Sequence, residues 1–559
     1  MPTTALEDAL DTEAIPLALP GGTALIQAGE SPTALYRLVA GRLAEVEHIT
    51  GDGNRLTAVH RPGALIGAAQ ILGDRLYRTT ITALRDSELL AIPLDRVEAL
   101  LREDPRFLAD VARMALTRMG AVEPEHRRKS SILGFVAVCD SVALRDLVEA
   151  MARAMRTLGL KVAVLGVEAD DSPPSRLSAL EAANDLVLMA AERHEREFTA
   201  FCGRQIDRLV LVGSSGAALP DGPFTFAAAG IERHRLMDMI LVQASDADRP
   251  SGSSRWLSAA PISRLFQIRD GDGADIARLA RIYAGRSVGL ALSGGGARAY
   301  AHVGVARALG ELGVPIDFVA GTSMGAVIAA GLAMGWDNIE LDRRIREAFV
   351  VSSPLSDIAF PLLAMTRGRR VDHRLELHFG ETEISDLWRP FTCVSTDLTS
   401  GGPHVHRRGL LRRALRASLS LPGVLPPVVE NGHVLVDGAL VRNLPVDIVS
   451  EQHDGLTIGV DVAVSEGLRP DDLLLKPSGW RWLTSGAWRK GPPIVSVLIR
   501  SATLPSFAAM AVRRDSRLME IIPEVEGVEL QDWDAYEPAV AAGYRATMAM
   551  ADRLAPLKA

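Results

Sequence analysis

Two consecutive strand–turn–helix units constrain the fold of this chain of 559 residues more than any other feature of its sequence. In the first, the apolar run VGLAL is followed by SGGGAR and a helical pattern. In the second, PIDFVAG is followed by TSMG and a helix of small residues, AVIAAGLAMG. Short apolar strands that alternate with helices are typical of a parallel sheet covered by helices. We therefore predict an α/β region from about Ser287 to Glu466.

The first turn is a run of three glycines, Gly294, Gly295 and Gly296. Such a run between a strand and a helix leaves backbone N–H groups free to bind an anion, and the helix dipole and Arg298 add positive potential. A dinucleotide-binding turn looks similar, but it needs an acidic residue at the end of the next strand. Asp317 lies at the start of that strand instead, so we favour an oxyanion-binding loop.

The second turn matches G-x-S-x-G from Gly321 to Gly325, between a strand and a helix, which is the context of a nucleophile elbow. Ser323 would sit on a tight, strained turn, flanked by glycines because side chains there would collide. The alternative is a serine that merely caps the helix, since G-x-S-x-G arises easily by chance in a chain with 49 glycines. Its place one unit after the glycine run favours the nucleophile.

The third signal, HVLVDGALVRNLPVD, places Asp437 at the end of a strand and before Gly438. A serine hydroxyl needs a base within hydrogen-bond reach, and a carboxylate at a strand end can serve as that base. Taken alone, an Asp-Gly pair is also common in simple turns.

Histidines offer an alternative base. A triad of the α/β-hydrolase order would need a histidine after Asp437, and only His453 follows it, in the polar stretch SEQHDG, where we predict a surface residue. His302 is expected to pack or cap on the helix after the glycine run. The pair His404-x-His406 lacks a third metal ligand at suitable spacing, which favours structural or phosphate-facing roles. We expect no metal site and no cofactor.

The rest of the chain divides into further regions. Residues 17–118 alternate β-like runs with glycine turns and end in a helical stretch, which predicts a small antiparallel β-domain. After the polar linker EPEHRRKSS, apolar strands again alternate with helices, without a phosphate-binding GxxxxGK[ST] sequence. The predicted domains are residues 15–120, 131–286 and 287–466, with a C-terminal extension, 467–559, that packs on the third.

Composition argues against several other classes of protein. A formal charge of −8 does not suit a chain whose whole surface binds nucleic acid. Three scattered cysteines, Cys139, Cys202 and Cys393, argue against a disulfide framework and for a reducing compartment. The N-terminus is acidic where a signal peptide is basic, and the uncharged stretch Phe318–Trp336 coincides with the second turn and its helix. We expect a cytoplasmic protein without a signal peptide or transmembrane helix.

One segment suggests peripheral contact with the inner face of a membrane. PSGWRWLTSGAWRKGPP concentrates Trp480, Trp482 and Trp488 beside three basic residues. Aromatic and basic residues together suit a membrane interface. Tryptophan packing over the edge of a core explains the same pattern equally well, so both interpretations stay open.

Together, the three motifs resemble those of the patatin-like phospholipases, and more closely the neuropathy target esterase branch, in which cyclic-nucleotide-binding-like domains precede the hydrolase. ISDLWRPFTCVSTDLTSGG and LLRRALRASLSLPGVLPPV also look like that branch. The resemblance covers roughly residues 288–462 and implies a three-layer α/β/α catalytic domain. It implies Ser323 as nucleophile, Asp437 as base in a Ser–Asp dyad without histidine, and an oxyanion hole from the glycine run supported by Arg298. The family's loop commonly ends in glycine, whereas Ala299 stands here.

The segment ALIGAAQILGDRLYRTTITAL resembles the phosphate cassette of a cyclic-nucleotide-binding domain, which implies an N-terminal antiparallel β-roll. Arg78 matches the arginine that would pair with the cyclic phosphate. The glutamate expected to hold the ribose hydroxyl is missing, since Ala68 follows Gly67, and a buried hydroxyl without its acceptor would lose about 1–3 kcal/mol. We favour a structural or differently liganded domain over a cyclic-nucleotide sensor, with a nucleotide-like ligand as the alternative.

The resemblance implies a serine ester hydrolase that cleaves the acyl ester of a phospholipid or lysophospholipid through an acyl-enzyme. The alternative is an inert regulatory or scaffold protein whose N-terminal domain binds a ligand. The presence of both Ser323 and Asp437 argues against that alternative.

Overall fold

The structure is a computed structural model, and it describes residues 5–49, 53–73, 76–120, 132–167, 174–219, 236–259, 262–351, 357–359, 364–462, 517–525, 527–530 and 532–558. The chain divides into two compact units, residues 1–245 with 254–280 and residues 246–253 with 281–559. The linker EPEHRRKSS and the tryptophans of PSGWRWLTSGAWRKGPP lie outside the described residues, so membrane contact stays a prediction. Within the described ranges, no helix combines the length and apolar character needed to cross a bilayer.

The first unit begins with an antiparallel β-roll, as predicted. Its elements are α1 (Ala5–Glu13), β1 (Ile15–Leu19), β2 (Ala24–Ile26), β3 (Ala34–Ile49), β4 (Gly53–His60), β5 (Leu65–Ile66), α2 (Ala68–Gly73), β6 (Thr80–Pro93), α3 (Leu94–Glu103) and α4 (Pro105–Gly120). The strands follow the order β1-β6-β3-β4, with β2 on β6 and β5 on β3. Leu35, Leu38 and Leu43 of β3 are completely buried in the interior of the roll.

The cassette segment of the β-roll packs closely around Gly67. This glycine has a φ of 93°, and a β-carbon on it would lie 2.7 Å from the hydroxyl of Tyr77, whose side chain is buried. Ala68 is also buried, whereas Arg78 is exposed to solvent. The position after Gly67 therefore offers a methyl group where the resemblance requires a carboxylate.

A parallel sheet forms the rest of the first unit. Its elements are β7 (Ile132–Ala137), α5 (Leu144–Thr157), β8 (Val162–Leu165), α6 (Pro174–Ala183), β9 (Leu186–Ala191), α7 (Arg196–Gln205), β10 (Arg208–Ser214), β11 (Leu236–Gln243), α8 (Ser253–Ala259), β12 (Arg264–Arg269) and α9 (Gly273–Tyr283). The order is β12-β11-β10-β7-β9-β8, and every pair is parallel. All residues of β7 and β9 are buried, as expected for a sheet covered on both faces.

Buried ion pairs join the β-roll to the elements around the parallel sheet. Arg42 of β3 is only 3% exposed and donates hydrogen bonds to Asp207 (2.6 Å) and Glu181 (2.5 Å). Arg85 of β6 shares Glu181. Removal of Arg42 would leave the carboxylate of Asp207 buried without this cation, so the stability of the network depends on Arg42.

We expect Arg42→Ala to lower the free energy of unfolding by about 3–5 kcal/mol, since Asp207 and Glu181 would lose their shared cation. Urea unfolding followed by circular dichroism measures the change. Arg102→Ala is the control, because Arg102 is exposed and its ion pair is with Glu98 one turn away on the same helix, which predicts a change within about 0.5 kcal/mol. Equal effects for the two variants would contradict the prediction.

Cyclic AMP and cyclic GMP at millimolar concentration are expected to leave the melting temperature of the full chain unchanged, because Ala68 supplies no ribose acceptor. A ligand present at 100 times its Kd would add about 2.7 kcal/mol of stability, which is a shift of several degrees. Differential scanning fluorimetry measures this shift, and a saturable increase with either nucleotide would contradict the prediction.

The second unit contains the sheet that carries the three sequence motifs. Its strands are β13 (Val288–Leu292), β14 (Phe318–Thr322), β15 (Phe391–Asp397), β16 (Gly402–His406), β17 (Val428–Glu430), β18 (His433–Asp437), β19 (Leu456–Val460) and β20 (Leu518–Ile521). They follow the order β17-β18-β15-β14-β13-β19-β20, with β16 paired to β15. Strands β13, β14, β15, β19 and β20 are parallel, and the other three run antiparallel to their neighbours.

Helices surround this sheet, and the last of them belong to the C-terminal region. They are α10 (Ala301–Glu311), α11 (Met324–Ala333), α12 (Asn338–Ile345), α13 (Arg369–Phe379), α14 (Leu411–Ser418), α15 (Val446–Ser450), α16 (Tyr536–Met548) and α17 (Ala551–Leu554). Helices α10 and α16 touch through glycines, because a β-carbon on Gly304 would lie 1.9 Å from the carbonyl oxygen of Val540. The described C-terminal residues therefore pack on this sheet, while the exact domain boundaries stay predictions.

Candidate active site

Two strands that meet end to end bring Ser323 and Asp437 together. β14 pairs with residues 391–394 of β15, and β18 pairs with residues 395–397. β16 pairs with residues 393–397 of β15, a range that overlaps both of the others. β16 must therefore lie along one edge of β15, and β14 and β18 share the other edge. β14 runs parallel to β15 and β18 antiparallel, so their carboxyl ends face each other, and these ends carry the serine and the aspartate.

The Ser323 hydroxyl donates a hydrogen bond of 2.6 Å to Oδ2 of Asp437. The other carboxylate oxygen, Oδ1, accepts from the backbone N–H of Ala439 at 2.9 Å. The carboxyl group is 1% exposed, and this burial raises the pKa of Asp437 to about 6, although both hydrogen bonds act to lower it. A base with a pKa close to neutral is ionised at pH 7 and still accepts a proton readily.

The backbone at Ser323 is strained in the way the elbow motif predicts. Its φ of 54° and ψ of −128° are unusual, and among the described residues only Asn431 is another non-glycine residue with positive φ. A β-carbon on Gly321 would lie 2.6 Å from the backbone of Ala326, and one on Gly325 would lie 2.4 Å from the carbonyl oxygen of Ser293. The serine side chain makes no capping bond to α11, so the interpretation as a simple helix cap is wrong.

The glycine run lies directly against the elbow. A β-carbon on Gly294 would be 3.1 Å from that of Ser323, and the Gly294 N–H donates to the carbonyl oxygen of Asn443 at 3.3 Å. The next two N–H groups, of Gly295 and Gly296, have no acceptor among the described residues. These two groups are therefore the available donors of the loop, whereas the sequence prediction also included Gly294.

Arg298 has a tethering role in the structure. Its Nε donates to the carbonyl oxygen of Val528 at 2.6 Å, and the N–H of Ala297 donates to that of Leu530 at 2.9 Å. A β-carbon on Gly296 would lie only 2.1 Å from the Leu530 oxygen. The glycine loop is thus held by the C-terminal region, a contact that no local pattern in the sequence indicated.

Two histidines of the second unit have structural roles. His302 is completely buried, its Nε2 lies 2.8 Å from the carbonyl oxygen of Ser293, and burial lowers the pKa of its ring to about 4. The prediction that His453 is a surface residue is wrong. It is 3% exposed, its Nδ1 lies 3.1 Å from the hydroxyl of Ser287, and its ring stacks on Phe318. It sits at the amino ends of the strands, whereas the dyad lies at the carboxyl ends.

The pair His404 and His406 lies on β16, which pairs with β15. Nε2 of His406 is 2.8 Å from the hydroxyl of Ser395, and the His404 ring approaches that of His433, with 5.3 Å between centroids. His433 in turn bonds to Asp397. Across the described ranges, no three side chains of the His, Cys, Asp or Glu types are arranged to hold a metal ion.

The sequence analysis did not predict two residues that contact the site. Asn443 carries the carbonyl that engages Gly294, and its position in the irregular segment after Asp437 was the only signal for it. Ser418 at the end of α14 accepts a hydrogen bond from the backbone N–H of Ser323 at 2.8 Å. Its segment stood out only through the family resemblance.

Comparisons with known proteins agree with this organisation. Residues 290–450 match the family described as Patatin-like phospholipase, and residues 16–104 match the Cyclic nucleotide-binding domain. The patatin-like phospholipase domain-containing protein 6 of Homo sapiens is 27% identical over 94% of this chain and 44% of its own length. The neuropathy target esterase sws of Drosophila melanogaster is 28% identical over 84% of this chain and 37% of its own length.

A bacterial relative matches over nearly the whole of both chains. An uncharacterized NTE family protein of Mycobacterium tuberculosis is 31% identical over 95% of this chain and 91% of its own length. Both family matches therefore lie within one continuous similarity. The chain belongs to the NTE family, with a cyclic-nucleotide-binding domain followed by a patatin-like phospholipase domain.

Proposed function

We propose that this protein is a serine hydrolase that cleaves the acyl ester of a phospholipid or lysophospholipid through a Ser323–Asp437 dyad. Membership of the NTE family implies a lipid esterase. The observation that carries the assignment of residues is the 2.6 Å hydrogen bond from the Ser323 hydroxyl to the buried carboxylate of Asp437, on a strained elbow.

The reaction follows from the positions of these groups. Asp437 accepts the hydroxyl proton as Ser323 Oγ attacks the ester carbonyl carbon, and the resulting oxyanion faces the N–H groups of Gly295 and Gly296. The proton then passes to the departing alcohol, which leaves an acyl-enzyme. Asp437 next takes a proton from water as the water oxygen attacks the acyl carbonyl carbon. The bond from that carbon to Ser323 Oγ then breaks, which releases the fatty acid, and Oγ takes the proton back from Asp437. An oxyanion donor of this type contributes about 10²–10³ in kcat.

We propose that the enzyme acts in the cytoplasm. Among the described residues, Cys139, Cys202 and Cys393 are buried thiols, which suits a reducing compartment. Access to lipid substrates would come through peripheral contact with a membrane.

Ser323→Ala is expected to abolish hydrolysis of a lysophospholipid and of a p-nitrophenyl fatty-acid ester, because alanine has no hydroxyl to attack the ester carbonyl. Labelling by a fluorophosphonate probe should disappear as well. Ser258→Ala is the control, since Ser258 is an exposed serine of α8. An unlabelled, inactive wild type would favour the inert scaffold instead, and a labelled Ser323→Ala would show that another residue is the nucleophile.

The rate should depend on the ionisation of Asp437. Because only the carboxylate accepts the serine proton, kcat/KM is expected to rise with pH through an apparent pKa of about 6 and to level off above it. A profile of ester hydrolysis from about pH 4.5 to 8 measures this. Asp437→Asn should lower kcat by about 10²–10⁴. A profile controlled by a pKa of about 4, the value of an ordinary carboxyl group, would contradict the prediction.

A further inference from the structure

Both members of the dyad are held by one three-residue segment at the end of α14. The N–H of Ser323 donates to the hydroxyl of Ser418 at 2.8 Å, and the N–H of Asp437 donates to the carbonyl oxygen of Ser420 at 2.9 Å. Two residues that are 114 positions apart in the chain are therefore connected through neighbouring groups of a single turn.

The Ser418 hydroxyl lies where a backbone hydrogen bond between β14 and β15 would otherwise form. Along β14, the N–H of Val319 donates to the carbonyl oxygen of Pro390, and the period of two in a strand would bring the N–H of Ser323 to that of Val394. The elbow turns away from β15 at this point. The Ser418 hydroxyl fills the gap, because it accepts from Ser323 and donates to the Val394 oxygen at 2.7 Å.

The site of the Ser418 hydroxyl is buried and closely packed, so loss of this hydroxyl would affect the backbone around it. Ser418 is completely buried, and a β-carbon on Gly438 would lie 2.3 Å from the same Val394 oxygen, so the space around that carbonyl is closely filled. Without the hydroxyl, the partly buried N–H of Ser323 and the buried carbonyl of Val394 would both lose this partner. The elbow could regain a partner only by a shift of its backbone, and such a shift would move the nucleophile.

The neighbouring serine has a different role. The Ser420 hydroxyl donates to the carbonyl oxygen of Arg416 and accepts from its guanidinium at 2.6 Å, so it shapes the helix end only. Ser420 contacts Asp437 through its backbone carbonyl. Of the two serines, Ser418 is thus the one whose hydroxyl bonds to the elbow.

We infer that Ser418 is a positioning residue, whose hydroxyl holds the strained backbone of Ser323 so that the nucleophile stays within reach of Asp437. This inference rests on the proposed function. Ser418 contacts neither the carboxylate of Asp437 nor the two available N–H groups of the glycine loop in the described structure, so its effect is transmitted through the Ser323 backbone.

The test compares Ser418→Ala with wild type in ester hydrolysis, with rates expressed per site labelled by fluorophosphonate. We expect kcat to fall about 10- to 100-fold with KM within about twofold, because the substrate-binding surface is untouched while the nucleophile is misplaced. The apparent pKa of the pH profile should rise, since a weaker hydrogen bond from Ser323 lowers the pKa of Asp437 less. A purely structural role would reduce the number of labelled sites without a change in this profile.

Two further variants complete the test. Ser450→Ala is the matched control, because Ser450 also ends a helix of this unit and its hydroxyl bonds to Thr457. Ser418→Cys keeps a side chain of similar shape, but its sulfur is only a weak hydrogen-bond acceptor. This variant therefore replaces Ser418→Ala in the test if Ser418→Ala does not fold, and its kcat should also fall. If the wild type is active and Ser418→Ala has the same kcat, the role of Ser418 is overturned and the proposed function stands. If Ser418→Ala does not fold, an unchanged kcat in folded Ser418→Cys has the same meaning. A wild type that is neither labelled nor active overturns the proposed function itself.

Discussion

The site depends on the way in which β14 and β18 share one edge of β15. A parallel and an antiparallel strand meet there head to head, and the residue that follows one strand faces the last residue of the other. No loop has to bridge the distance between Ser323 and Asp437, so backbone ladders position both residues. The hydrogen bond between Ser323 and Asp437 is a direct consequence of this register.

The proposed dyad lacks an imidazole, so the carboxylate itself would have to act as base, and burial shifts its pKa in the direction that this role needs. An exposed aspartate would bind a proton too weakly to accept one from serine at neutral pH. At Asp437 the loss of hydration outweighs the two hydrogen bonds, which raises the pKa to about 6. His302 remains neutral beneath the glycine loop because it is buried as well, so it adds no competing charge.

Glycines are required where separate segments approach one another within backbone contact. Gly325 lets α11 reach the end of β13, Gly438 lets the turn after β18 pass the Val394 carbonyl, and Gly296 admits the Leu530 carbonyl. Each contact joins segments that are distant in sequence. The conformation of the glycine loop therefore depends both on its own residues and on the C-terminal region. Arg298 adds a second contact with that region, through its hydrogen bond to the Val528 carbonyl.

The sequence alone determined the local units: the β-roll, the parallel α/β regions, the glycine run, the elbow at Ser323 and the strand end at Asp437. Strand periodicity, glycine sterics and turn chemistry act over a few residues, so they are legible in a single chain, and the resemblance to the NTE family joined them into one site. Only the tertiary structure decided that His453 is buried, that the Gly294 N–H is engaged by Asn443, and that Ser418 completes the elbow. Those contacts join residues 95 to 166 positions apart, and they follow from strand register and packing, which no local pattern encodes.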